Sequence, residues 1–155
     1  MNEGLLADTG SGKKPKRRAT KAVPDKQKKK RILIIDDDPR MREMLGRALS
    51  RAGFHVNTAP DGLKLASSLN TAKPDLIVLD VAMSWVNGIE LCRLVGSIRE
   101  YRQVPVVFIS GYADAKTVRR CREAGGADFV SKPINLPDFI NCVKDHLGIA
   151  LDPTA

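Results

Sequence analysis

Carboxylates, a hydroxyl and an amine recur in this chain just after short apolar runs. Ile32-Leu33-Ile34-Ile35 runs into Asp36-Asp37-Asp38, Leu76-Ile77-Val78-Leu79 into Asp80, and Val106-Val107-Phe108-Ile109 into Ser110. Asp128-Phe129-Val130 is followed by Ser131-Lys132-Pro133. If the runs are parallel strands, all of these groups share the carboxyl edge of one sheet, where open α/β sheets bind ligands. The set suits Mg²⁺ and a phosphoryl group.

Left alone, three carboxylates in one place would repel, and one would be forced toward its neutral form unless a cation sat among them. Mg²⁺ favours one or two carboxylates, a carbonyl, waters and phosphate oxygens. Asp37 is expected as a direct ligand, Asp36 as a direct or water-mediated one. Asp80 can ligate through one oxygen and attack phosphorus with the other, as carboxylate nucleophiles do. Phosphoryl transfer depends mainly on positioning and charge neutralisation. Lys132 would supply positive charge beside the metal, and Ser110 a neutral donor.

The elements that must hold these groups alternate strand and helix five times. Ile32–Asp36 is the first strand. Asp38 as N-cap and Pro39 as first helical residue open a helix. Its face is Met41, Met44, Leu45, Ala48, Leu49 and Ala52, and Gly53 closes it. Phe54–Ala59 alternates like an edge strand. A helix is predicted over Asp61–Ala72, a strand over Leu76–Leu79 and a helix over Gly88–Arg99. Asn87-Gly88 is read as a loop-to-helix junction, not a hairpin turn. A strand over Val104–Ile109 and a helix over Ala113–Ala124 follow, ended by Gly125-Gly126. The last pair is a strand over Ala127–Val130 and a helix carrying Leu136, Phe139, Ile140, Val143 and Leu147, capped by Gly148. Uninterrupted apolar strands belong to parallel sheets covered on both faces, so the fold class is a doubly wound α/β sheet.

Taken together these residues resemble the receiver domain of two-component response regulators, especially the stand-alone chemotaxis type, over residues 31 to about 147. Asp36 and Asp37 match the family's acidic pair. Leu79-Asp80 with Met83 and Gly88 matches the phospho-acceptor block. Ser110-Gly111 matches the hydroxyl position, Lys132-Pro133 the lysine whose following peptide bond is usually cis, and Phe129 the switch aromatic. The resemblance implies a five-stranded parallel sheet of order 2-1-3-4-5 with five helices. It also implies a phosphorylation-controlled switch of bacterial origin. A histidine kinase or phosphotransfer protein would donate to Asp80, with Mg²⁺ held by Asp36, Asp37, Asp80 and the backbone carbonyl of Ala82. Ser110 and Phe129 would then move, and the face of the fourth helix, fifth strand and fifth helix would change its affinity for an output protein. Such a chain acts on its own aspartate and is not an enzyme toward other substrates. Three residues depart from the pattern. Ser84 replaces the usual proline of the acceptor loop and is followed by Trp85, Ala82 offers only its backbone, and Tyr112 is bulky. Ala82 cannot orient an attacking water, so slow loss of the phosphoryl group is expected, with Tyr112 as a shield.

Composition frames this reading. The chain has 155 residues, 43% of them hydrophobic, and a formal net charge of +8. Residues 1–31 hold 11 Lys/Arg against 3 acids, and the remainder is balanced at 15 against 15. Residues 1–30 are therefore expected to be a disordered basic tail, 31–148 the folded domain and 149–155 a short C-terminal tail. Lys13-Lys14-Pro15-Lys16-Arg17-Arg18 and Lys28-Lys29-Lys30-Arg31 suggest nucleic acid or an acidic partner for residues 13–31, against the alternative of a solubilising arm. Cys92, Cys121 and Cys142 lie far apart without metal-ligand spacing and are expected as reduced thiols. His55 and His146 have no carboxylate pattern nearby and are assigned structural or surface roles. No apolar run approaches the ~20 residues of a membrane span, and Met1-Asn2-Glu3 does not open a signal peptide. A cytoplasmic location is expected, with output through protein contact because the chain stops soon after the last helix. A phosphorylation-linked homodimer fits the same face. Two other readings compete. One is a haloacid-dehalogenase-type Mg²⁺ phosphohydrolase with Asp36 as nucleophile, which leaves Asp80 unexplained. The other is a nucleic-acid-associated adaptor working through the basic tail.

Overall fold

A computed structural model describes residues 28–84 and 86–151. Most of the basic tail, Trp85 and the last four residues lie outside the described residues. Five parallel strands form one sheet of order β2-β1-β3-β4-β5. They are β1 (Arg31–Ile35), β2 (His55–Ala59), β3 (Leu76–Asp80), β4 (Val106–Ser110) and β5 (Asp128–Ser131). The helices are α1 (Pro39–Arg51), α2 (Leu65–Ala72), α3 (Gly88–Ser97), α4 (Ala115–Glu123) and α5 (Leu136–His146).

The apolar runs are the central strands because both of their faces are covered. Leu33, Ile35, Ile77, Leu79 and Phe108 pack on one side with α2 and α3 residues such as Leu69, Ile89 and Val95. Ile32, Ile34, Val78, Val107 and Ile109 pack on the other with Leu45 and Leu49 of α1 and Phe139 and Val143 of α5. A central strand thus alternates between two cores, and no polar side chain is tolerated until its end. Register fixes where those ends fall: Ile35 pairs with Leu79, Asp80 with Ile109 and Ser110 with Ser131.

Local chemistry sets the helix starts. Asp38 accepts a hydrogen bond from the Arg40 amide at 2.9 Å, with Pro39 as the first helical residue. Asn87 accepts from the Ile89 amide at 2.7 Å, so Asn87-Gly88 is a helix junction as the pattern predicts. Gly53, Gly125 and Gly148 follow their helices with positive φ, the conformation glycine adopts without a Cβ penalty.

Several boundaries differ from the sequence pattern. The second helix starts at Leu65 rather than Asp61, because Asp61 turns its carboxylate onto the Leu63 amide and the Gly62 carbonyl accepts from the Leu65 amide. The third stops at Ser97, whose hydroxyl donates to the Leu94 carbonyl. Ile98 is extended, and a 3₁₀ turn over Arg99–Tyr101 follows. The fourth starts at Ala115, because Asp114 caps it through both the amide and the hydroxyl of Thr117. Arg31, last residue of the second basic cluster, belongs to the fold: its amide and guanidinium donate to Asp75 and to the Ala72 carbonyl. Ile149 packs on the core beside α5.

His146 has a carboxylate partner that the sequence pattern does not show. Its Nε2 lies 2.9 Å from Oδ2 of Asp128, and the Cys142 thiol donates to the same oxygen at 3.3 Å. Burial tends to raise the Asp128 carboxyl, but hydrogen bonds from His146, the Phe129 amide and Cys142 outweigh it and hold the group below its ordinary value. Burial pushes the Cys142 thiol up to about 12, and the Asp128 carboxylate adds to this. Cys142 and His146 stand four apart on α5, a ligand-pair spacing that a comparison of the cysteines with one another misses. His55 is exposed, and all three cysteines are free thiols. No helix among the described residues is long and apolar enough to cross a membrane.

Candidate functional site

At the carboxyl edge of the sheet the chain brings its acids together. Asp36, Asp37 and Asp80 each place a carboxylate oxygen within 4.8 Å of the others. Asp36 follows β1 and is fully buried; its Oδ1 accepts from the Asp38 amide at 2.9 Å, while Oδ2 has no hydrogen-bond partner. A buried carboxylate oxygen without a donor is costly. The Lys132 ammonium partly compensates, lying 3.6 Å from that oxygen and 3.7 Å from Oδ1 of Asp80. Both distances exceed those of a good hydrogen bond, so the ammonium acts mainly through charge. Lys132 is held by its own amide, which donates to the Ser110 carbonyl at 2.8 Å, and the Lys132-Pro133 bond is cis.

Asp80, at the end of β3, is nearly buried. Burial pushes its carboxyl up to about 6 and the Asp36 charge adds to this, while the Lys132 ammonium and a hydrogen bond from the Ala82 amide pull it down. Three clustered carboxylates, one raised and one with an orphaned oxygen, fit a divalent cation with oxygen preference, and Mg²⁺ matches that donor set. Asp37 carries a contact that the sequence does not foretell. Both the amide and the hydroxyl of Ser84 donate to its Oδ2, at 3.0 and 2.8 Å. Ser110 is fully buried at the end of β4, and its hydroxyl accepts from the Tyr112 amide at 3.0 Å. The Tyr112 ring stands in solvent at 69% exposure. Phe129 on β5 is half-buried against the α2–α3 core. Every site residue expected from the sequence therefore lies on this edge or on the strand beside it. The Ser84 latch and the Ala82 amide are additions; both positions depart from the family pattern, but neither departure foretells the contact.

The family profile described as "Response regulator receiver domain" matches residues 32–144. The chain belongs to that family. Receiver domains of this family act on their own aspartate through transfer from a kinase, not on external substrates. This receiver has the family's sheet order, its Mg²⁺-type acidic cluster and its α4-β5-α5 switch face. It is 39% identical over 104 residues to the transcriptional regulatory protein CseB of Streptomyces coelicolor, covering 67% of this chain and 43% of that one. It is 27% identical over 121 residues to the polar-differentiation response regulator DivK of Brucella anthropi, covering 78% and 98%. The chain thus spans about half the length of the CseB-type relatives and nearly all of DivK. Among solved structures, a putative response regulator from Chloroflexus aurantiacus superposes with TM-score 0.72 at 28% identity, covering 77% of this chain and 99% of that one. The chemotaxis protein CheY4 of Vibrio cholerae gives TM-score 0.72 at 24% identity, covering 76% and 98%, and shares the fold.

Proposed function

We propose that Asp80 is the phospho-acceptor of this receiver, charged from the phosphohistidine of a histidine kinase or phosphotransfer protein. The supporting observation is convergence: Lys132 reaches Asp36 and Asp80 together, and Ser110 ends β4, between the strand of Asp80 and the strand that leads to Lys132. An oxygen of Asp80 attacks phosphorus, the P–N bond breaks, and its electron pair returns to the imidazole, which takes up a proton. Mg²⁺ held by Asp36, Asp37, Asp80 and the Ala82 carbonyl would neutralise the carboxylates and the phosphate oxygens. Lys132 turns its ammonium to the phosphoryl oxygens. Ser110 leaves the Tyr112 amide and donates its hydroxyl to them. Phe129 turns inward, and the α4-β5-α5 face presents a different surface to its partner, a shift between two populations.

Residues 31–148 make the folded unit, extended by Ile149, which packs on its core; residues 1–30 and 150–155 are its tails, and the protein works in the cytoplasm beside the kinase. Output runs through protein contact on the switch face, including phosphorylation-linked pairing with a second copy. Residues 13–31 give the chain attraction for nucleic acid or an acidic partner. Deleting residues 13–29, which spares Arg31 and the Lys30 carbonyl that the fold uses, should abolish salt-dependent DNA retention; unchanged retention means that the tail does not carry the binding.

Intact-mass analysis after incubation with Mg²⁺ and a small acyl-phosphate donor tests the acceptor. The expected result is one phosphoryl adduct that needs Mg²⁺ and vanishes in Asp80→Asn. An adduct that survives Asp80→Asn but is lost in Asp36→Asn would overturn the assignment in favour of the phosphohydrolase reading.

A further inference from the structure

A second convergence of donor atoms lies away from the acidic edge. Asp128 opens β5, whereas Lys132 follows its end, so the two are separated along the strand by about 10 Å or more. Over Asp128 lie Cys142 and His146, four apart on α5 and therefore on one helix face. The carboxylate oxygen, thiol sulfur and imidazole nitrogen all fall within 4.8 Å of one another. Both α5 groups aim at one atom, Oδ2 of Asp128, at 3.3 and 2.9 Å. Two protons thus point at a single carboxylate oxygen, and one cation could replace both.

We propose that Asp128, Cys142 and His146 form a second metal site, distinct from the acidic cluster, that takes a thiophilic divalent cation of the Zn²⁺ class. A thiolate and an imidazole beside one carboxylate are the donors that separate Zn²⁺ from Mg²⁺, which takes oxygen. Binding balances simply. The Cys142 S–H gives its proton to solvent, and neutral His146 moves its proton to Nδ1 and offers the Nε2 lone pair. The thiolate and carboxylate then cancel the charge of the ion. Three protein ligands leave a fourth position, and the side chain of Asp128, 47% exposed, keeps that position open to water. The ion would tie the start of β5 to the last turns of α5, inside the switch face.

The full chain, reduced and with excess Mg²⁺ to fill the acidic edge, is titrated first with Zn²⁺ and then with Co²⁺ as a spectroscopic substitute. One equivalent should bind, and the cobalt form should show a thiolate-to-metal charge-transfer band. Cys142→Ala should abolish the band, and His146→Gln should weaken binding at least about tenfold. Glutamine at position 146 can still donate to Asp128, so a bracket made only of hydrogen bonds would survive that change and the metal site would not. Asp37→Asn should leave the band unchanged. A cobalt form without the band, or a band that persists at full strength in both α5 variants, overturns the proposal. A band lost in Asp37→Asn overturns it as well.

Discussion

Ser84 holds one oxygen of Asp37 twice, through its amide and its hydroxyl. A cation that uses this oxygen must compete with those donors. One net hydrogen bond contributes about 1 kcal/mol, so Ser84→Ala should tighten Mg²⁺ binding by about fivefold. Calorimetric titration checks this, and an unchanged or weaker affinity refutes the latch. Position 82 bears on the opposite half of the cycle. The methyl of Ala82 cannot hydrogen-bond water, whereas an amide side chain there could orient one toward the phosphoryl group. Ala82→Asn should therefore shorten the phosphoryl lifetime, by about fivefold on the same scale. A phosphate-release time course that is no faster than the parent's would show that position 82 does not control access of water to the phosphoryl group.

At the scale of elements, the strands and the acidic site were readable from the chain, because a parallel strand buried on both faces must be apolar throughout and polar at its end. Helix ends were less readable where a short side chain captured the backbone, as Asp61 and Asp114 do. Contacts made by crossovers were not readable at all. Ser84 meets Asp37 from 47 residues away and His146 meets Asp128 from 18, and local periodicity carries no signal of either. The junction before α3 gives a test at this scale. Gly88 donates its amide to the Val81 carbonyl, and a Cβ on it would collide with the carbonyl oxygen of Asp80. Gly88→Ala should cost about 1–3 kcal/mol of stability through overpacking and slow phosphoryl uptake with it. Chemical denaturation and intact-mass kinetics read the two effects separately. A variant as stable as the parent would show that α3 can retreat from the acceptor strand.

For the molecule as a whole, the acidic edge opposes folding when no cation fills it. The Asp80 carboxyl, raised to about 6, binds its proton more tightly folded than unfolded. Its contribution to stability is therefore complete below the ordinary carboxylate range and is lost as pH rises through about 6. In chelator, the unfolding midpoint should fall between pH 4 and 6, and Asp80→Asn should flatten that fall. Mg²⁺ reverses the penalty by binding only the folded state, adding about 2.7 kcal/mol at a hundredfold excess over its dissociation constant. Asp37→Asn should remove most of that gain, as thermal melts with and without Mg²⁺ would show. Equal melts of the parent under both conditions would mean that the cluster binds no ion.

The sheet order has a mechanical consequence. β5 is hydrogen-bonded along one side only, to β4. It carries Phe129 and leads directly to Lys132, while Asp36 and Asp80 end strands clamped by neighbours on both sides. The carboxylates thus end strands held on both sides, whereas Phe129 and Lys132 lie on or just after a strand held on one. A small local force at the centre is taken up as displacement at the rim, where yielding breaks the fewest bonds.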